Sequence, residues 1–196
     1  MPNLYYSAIY KSKIINLLLG NENFIKLLDP EPPQCKELNV TDVLLGGRWT
    51  FNGIEYKEQG QVFDYNFVSG ITDDEKTFVS VETDIDTVDR NMFMDFNLYV
   101  CIFTSKNLVR ITDWTSPSVK QIKEMGYFTD VYANRIDVLC DITDRVLNGA
   151  DTFPGIGDIM PAPKGHVTIY CPDSKYYGKC LKYKISNYNN GGRCGN

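Results

Sequence analysis

The chain has 196 residues, with 20 Lys+Arg against 25 Asp+Glu, a single His and hydrophobic residues at 43%. That much apolar side chain can bury a core, which excludes wholesale disorder, and the length suits one domain carrying an arm or insertion, or at most two small domains. The longest apolar runs, such as Leu17-Leu18-Leu19, are far too short to cross a bilayer, and Met1 to Tyr10 lack the basic head, apolar stretch and cleavage site of a secretory signal.

In chain order, Tyr6, Ile9, Tyr10, Ile14, Leu17 and Leu18 fall at helical spacing and predict a helix from Tyr6 to about Leu19, stopped by Gly20-Asn21. A short turn, Asn23 to Leu28, runs into Pro30, Pro32 and Pro33, which end any helix and make an extended linker. An inserted β-arm is expected over about residues 30–76. Within it, Asn52-Gly53 between two β-prone runs predicts a type I′ hairpin, since Asn-Gly supplies positive φ at both central positions. Gln61 to Val68 alternates around Phe63, Tyr65 and Phe67 as a further strand, followed by a polar loop to Lys76.

Thr77 to Ile85 and Asp95 to Thr104 read as strands. The second is apolar on both faces and so belongs at the centre of a sheet. Val119 to Met125 predicts a short helix, and Asp130 to Asn148 a long one with its stripe at Tyr132, Ile136, Leu139, Cys140, Thr143, Val146 and Leu147. Pro154-Gly155-Ile156-Gly157 is a turn. Gly165 to Cys171 and Lys179 to Asn187 close the chain as strands, and the Gly/Asn-rich residues 187–196 form a flexible tail. The expected architecture is a single α+β domain: a two-layer sandwich whose antiparallel sheet of two hairpins packs on the N-terminal and long central helices. Val79, Val81, Phe96, Leu98, Val100, Leu181 and Tyr183 are its expected sheet core, covered by Ile136, Leu139 and Leu147.

Charge is uneven. Residues 1–160 hold 14 Lys+Arg and 24 Asp+Glu, whereas residues 161–196 hold six Lys+Arg and only Asp173. Two surfaces of opposite sign in one chain suit a head-to-tail contact between copies. The six cysteines contain no C-x-x-C, so the usual zinc and redox spacings are absent, and without an export signal free thiols in a reducing cytoplasm are expected, Cys171 and Cys180 being the pair that could face each other across paired strands.

Little chemistry is legible. Glu82, Asp84 and Asp86 alternate along a strand and share a face, where carboxylates could grip a hard cation such as Mg²⁺. A metal-dependent nuclease built on them would also need Lys76 or Arg90. The spacing is not diagnostic, and a solvated strand rim is the ordinary reading. His166 stands at a strand start without a nucleophile elbow, which leaves a Cys–His pair as a formal alternative to a surface role. Gly155-Ile156-Gly157 is not a phosphate loop, and Asn39-Val40-Thr41 is a chance glycosylation match. No catalytic residue, metal or cofactor is expected.

The order of segments resembles a known group. A helix at Tyr6 to Leu19 is followed by TFVSVETDI, FNLYVCIFT, NRIDVLCDITDRVLNG and GIGDI before a last hairpin. This is similar to the small neck and tail-completion proteins of tailed bacteriophages, particularly the tail-terminator type, over residues 6–19 and 77–187. The resemblance implies an α+β subunit of a ring, usually a hexamer, located in the virion neck and assembled in the host cytoplasm. Its partners would be the tail tube and the head connector, with genome DNA passing the lumen without specific binding and no membrane involved. A head-closure ring of the same neck is the nearest alternative. The expected subunit-interface residues are Trp49, Phe51, Tyr56, Phe63 and Tyr65 of the arm, with Lys179, Lys182 and Lys184. Deleting residues 48–66 is expected to leave a folded monomer that fails to assemble.

Overall fold

A computed structural model of the chain describes residues 5–65, 75–89, 93–111, 123–124, 126, 133–148 and 158–188. The strand continuation to Val68, the turn at Pro154, the side chain of Asp86, the tail beyond residue 188 and most of the helix expected at Val119–Met125 lie outside the described residues. The elements are α1 (Tyr5–Leu19), α2 (Glu22–Leu28), α3 (Val40–Leu45), β1 (Gly47–Phe51), β2 (Ile54–Glu58), β3 (Val62–Phe63), β4 (Thr77–Asp89), β5 (Phe93–Ser105), β6 (Arg110–Ile111), β7 (Ala133–Asn134), α4 (Arg135–Leu147), β8 (Asp158–Pro161), β9 (Val167–Tyr170) and β10 (Tyr176–Tyr188).

The doubly apolar stretch becomes the central strand: β5 lies between β4 and β10 in a six-stranded sheet ordered β3-β4-β5-β10-β8, with β9 also on β10. All pairs are antiparallel except β3 with β4, and the hairpins β4–β5 and β9–β10 form its two halves. Register aligns Val81, Val100 and Leu181 in one cross-strand row and Glu82, Tyr99 and Lys182 in the next. Because side chains alternate, the first row faces one layer and the second the other.

The helices cover the first face. Tyr10, Ile14 and Leu18 of α1, Phe24, Leu27 and Leu28 of α2, and Ile136, Leu139 and Leu147 of α4 join Val79, Phe96, Leu98, Tyr183 and Ile185 in one buried cluster. Every residue expected in this core is there, and the fold is an α+β sandwich. Tyr10 meets Phe96 edge-on at 5.2 Å, and burying each such large side chain contributes roughly 1.5–3 kcal/mol.

Helix ends are set by asparagines. Asn21 accepts from Phe24 N, Asn134 from Ile136 N, and Asn39 makes a reciprocal capping box with Asp42. The long helix therefore starts at Arg135 rather than near Asp130, and the apparent sequon at Asn39 is a helix cap. Buried Gln61 closes the excursion: its side-chain amide donates to Leu28 O at 2.8 Å and Thr77 O at 2.9 Å. Arg135 likewise ties α2 to the segment after β5 through Leu27 O and Leu108 O.

The opposite sheet face carries a second core, Phe63, Phe78, Phe103 and Tyr176, with Tyr170 packed against it. Phe78 and Phe103 stack at 5.6 Å. Gly178 lies between Phe103 and Tyr170 in register, and a Cβ there would meet Phe103 Cβ at 2.6 Å, so the rings close over a glycine.

Two expectations are corrected on this face. Phe63, expected at a subunit contact, is 7% exposed within its own chain, because β3 runs parallel along β4. The thiols are not all free: Cys101 and Cys180, paired directly across β5 and β10, form a disulfide. Cys180 faces Thr168 on the β9 side, and exposed Cys171 lies just beyond that strand. Both cysteines sit within strands whose register the sequence alone did not set.

Candidate functional site

The β1–β2 hairpin forms as its turn chemistry dictates. Asn52 has φ 51° and Gly53 φ 78°, the two positive values a type I′ turn requires. Trp49 pairs with Tyr56 and Phe51 with Ile54, so one hairpin face carries all four large apolar side chains. The other carries Arg48, Lys57, Thr50 and Glu55, with a surface ion pair between Arg48 and Glu55 at 3.4 Å. Phe51 and Tyr56 lie 6.1 Å apart, while Ile54 is 57% exposed. Among the described residues these strands pair only with each other. The hairpin is held at its root, where Gly46 N donates to Asp42 O and Gln61 N to Leu44 O. A groove of about 460 Å³ lies there, lined by residues including Ser12, Ile15, Gly47 and Tyr65.

The far edge of the sheet is also open. Strand β9 pairs with β10 on one side and, among the described residues, with nothing on the other. Val167 is 47% exposed and Ile169 75%, on the face where the helices would cover them if the helical layer reached that far. An edge strand with bare backbone donors and acceptors is a template for another strand.

The remaining candidate residues are engaged within the chain in different ways. Lys179 donates to Asp137 of α4 at 2.6 Å, and that hydrogen bond holds its ammonium above the ordinary lysine range. Lys182 lies 5.4 Å over the Tyr99 ring. Lys184 occupies the row of Asp84 and Asn97 on the same face. Tyr65 stays half exposed with its ring 5.3 Å from Phe63. Of the carboxylate cluster, Glu82 accepts from Lys11 Nζ at 2.8 Å, which spends its charge on α1, and Asp84 is exposed.

His166 joins a polar latch the sequence did not reveal. Its Nδ1 donates to Lys182 O at 2.8 Å, and its Nε2 lies 3.0 Å from Asp144 Oδ1, which also accepts from Tyr183 OH at 3.1 Å. The latch clamps the β8–β9 connection onto the end of α4. Cys140 is on the same helix, and burial pushes its thiol from 9.0 up to about 12, which keeps it protonated and unreactive near neutral pH. Burial and Asp144 push the Tyr183 hydroxyl up as well. The arrangement fixes a histidine between a backbone carbonyl and a carboxylate, with its ring against Tyr183. Asp137, Asp141 and Asp144 lie off the apolar stripe of this helix, and that polar side is the only sequence signal for the latch.

The chain matches no curated protein and no solved structure. A family model does match it, over residues 21–185, a stretch that takes in the hairpin, both halves of the sheet and α4. The chain belongs to the YomW family, a phage-related protein family.

Proposed function

We propose that the protein is a structural subunit of a tailed-phage neck, most readily a tail-terminator ring that joins the tail tube to the head connector. The observation that carries this reading is the hairpin, which gathers four large apolar side chains on one face, leaves Ile54 57% exposed and, among the described residues, pairs with no other strand. Membership of a phage-related family and the α+β sandwich agree with it. A lone hairpin is marginally stable in water, and partly buried aromatic residues on one gain by further burial against another surface. The role is assembly without catalysis, with a homo-oligomeric ring such as a hexamer as the working state and the virion neck as its place. A head-closure ring would use the same surfaces. The test is the mass of the purified protein by light scattering, together with antibody labelling of assembled particles. A multi-subunit ring and label at the head–tail junction are expected; a monomer that labels no particle would refute the reading.

A further inference from the structure

We propose that the subunits join head to tail by strand addition, the β1–β2 hairpin of one copy pairing along the open edge of β9 in the next. The inference rests on the assembly reading above and names its contact. Both halves of the joint lie in the same chain, and each lacks a partner along one edge among the described residues. Their lengths match: β9 has four residues, and β1 and β2 have five each. Their patterns match too. Apolar residues recur at every second position, Val167 and Ile169 on β9 against Trp49 and Phe51 or Ile54 and Tyr56 on the hairpin, so one register lays both apolar sets on a single continuous face. Backbone hydrogen bonds would supply pairing and the apolar row affinity, the usual division in strand addition.

Charge selects the hairpin over a second β9. Residues 161–188 carry five lysines against Asp173, whereas residues 29–60 carry six carboxylates against Lys36, Arg48 and Lys57. Pairing β9 with β9 would bring two basic segments together, whereas the hairpin strands balance Arg48 and Lys57 with Glu55 and Glu58 and belong to an acidic excursion, so that pairing meets no like-charge repulsion. A contact between two different surfaces repeats from copy to copy, as a ring or filament requires.

The experiment uses two full-length variants that each spoil one half of the joint: Ile169→Lys on β9, and Trp49→Ser with Ile54→Lys on the hairpin. Their far-ultraviolet spectra and melts, compared with wild type, show that both are folded. Native mass spectrometry then reads the assembly. The wild type is expected as a multi-subunit species, and each variant alone as a monomer, its assembly midpoint shifted by roughly tenfold or more. An equal mixture is expected to give a one-to-one heterodimer and stop there, because each variant keeps the half the other has lost. A wild type that assembles while both variants assemble equally well overturns this contact and leaves the ring reading standing. Variants that are monomeric alone and stay monomeric when mixed also overturn it. A monomeric wild type removes both.

Discussion

The hairpins β1–β2 and β4–β5 are treated in opposite ways by the fold. Strands β4 and β5 are locked between α1 and α4 on one face and an aromatic cluster on the other, with β10 paired alongside β5 and Val79, Val81, Phe96 and Leu98 fully buried. Strands β1 and β2, among the described residues, have a type I′ turn, each other and a few hydrogen bonds near the root. Turn chemistry and cross-strand pairs make a hairpin; a second apolar surface decides whether it belongs to the core. The aromatics of β1–β2 have no such surface from their own sheet, and that separates a residue needed for folding from one available for contact.

The largest effects should fall on the body. Leu139→Ala, at a site with no exposure, should cost about 2–5 kcal/mol, and Phe63→Ala about 3–5 kcal/mol, in denaturant unfolding. Phe51→Ala on the hairpin should cost less than about 1 kcal/mol by the same measurement. Equal losses at Phe63 and Phe51 would break the distinction between the two hairpins.

The next effect is pH-dependent. Cys140 ionises at about 12 in the fold, against 9.0 when freely exposed. Between those values the unfolded thiol has lost its proton and the folded one has kept it, so stability is full below about pH 9 and falls as pH rises toward 12. Tyr183 and Lys179, both shifted upward, add to the fall. Cys140→Val should flatten part of that slope, and iodoacetamide at about pH 8 should label Cys35 and Cys171 but spare Cys140 until the protein unfolds. Rapid labelling of Cys140 in the folded state would contradict its burial.

Smaller effects sharpen the picture of the body. His166→Ala removes a link between α4 and β10 at a partly exposed site and should cost about 1 kcal/mol. Buried Thr143 has a hydroxyl oxygen without a hydrogen-bond partner among the described residues, so Thr143→Val should leave stability unchanged or raise it by up to about 1 kcal/mol, read as a shift in Tm.

The body was legible because its periodicities are strong. The alternation of Phe96, Leu98, Val100 and Ile102 placed β5 at the centre, and the stripe of Ile136, Leu139 and Leu147 placed α4 over it. Phe63 was misassigned because alternation around Phe63 and Tyr65 marks a strand but not its neighbour, and the partner here is a parallel one reached across a loop. The cross-strand disulfide was missed for the same reason: pairing Cys101 with Cys180 depends on a register set by β5 and β10 together, 79 residues apart in sequence. The His166 latch joins a helix end to a strand connection, and no local motif encodes such a meeting. The open edge of β9 was not legible because a strand's alternation does not say which neighbours it has or how far the helical layer reaches, and here that layer leaves Val167 and Ile169 exposed.

The central claim is that the β1–β2 hairpin serves assembly and not folding. Since Val62 and Phe63 belong to the sheet, the decisive deletion removes Arg48 to Lys57 and joins Gly47 to its cross-strand partner Glu58, rather than removing residues 48–66. The measurement is light scattering of that deletion beside the wild type, with a thermal melt of each. A wild type of several subunits is expected, beside a deleted chain that melts as the wild type does yet has the mass of one chain. A deleted chain that unfolds, or that assembles as the wild type does, would contradict the claim.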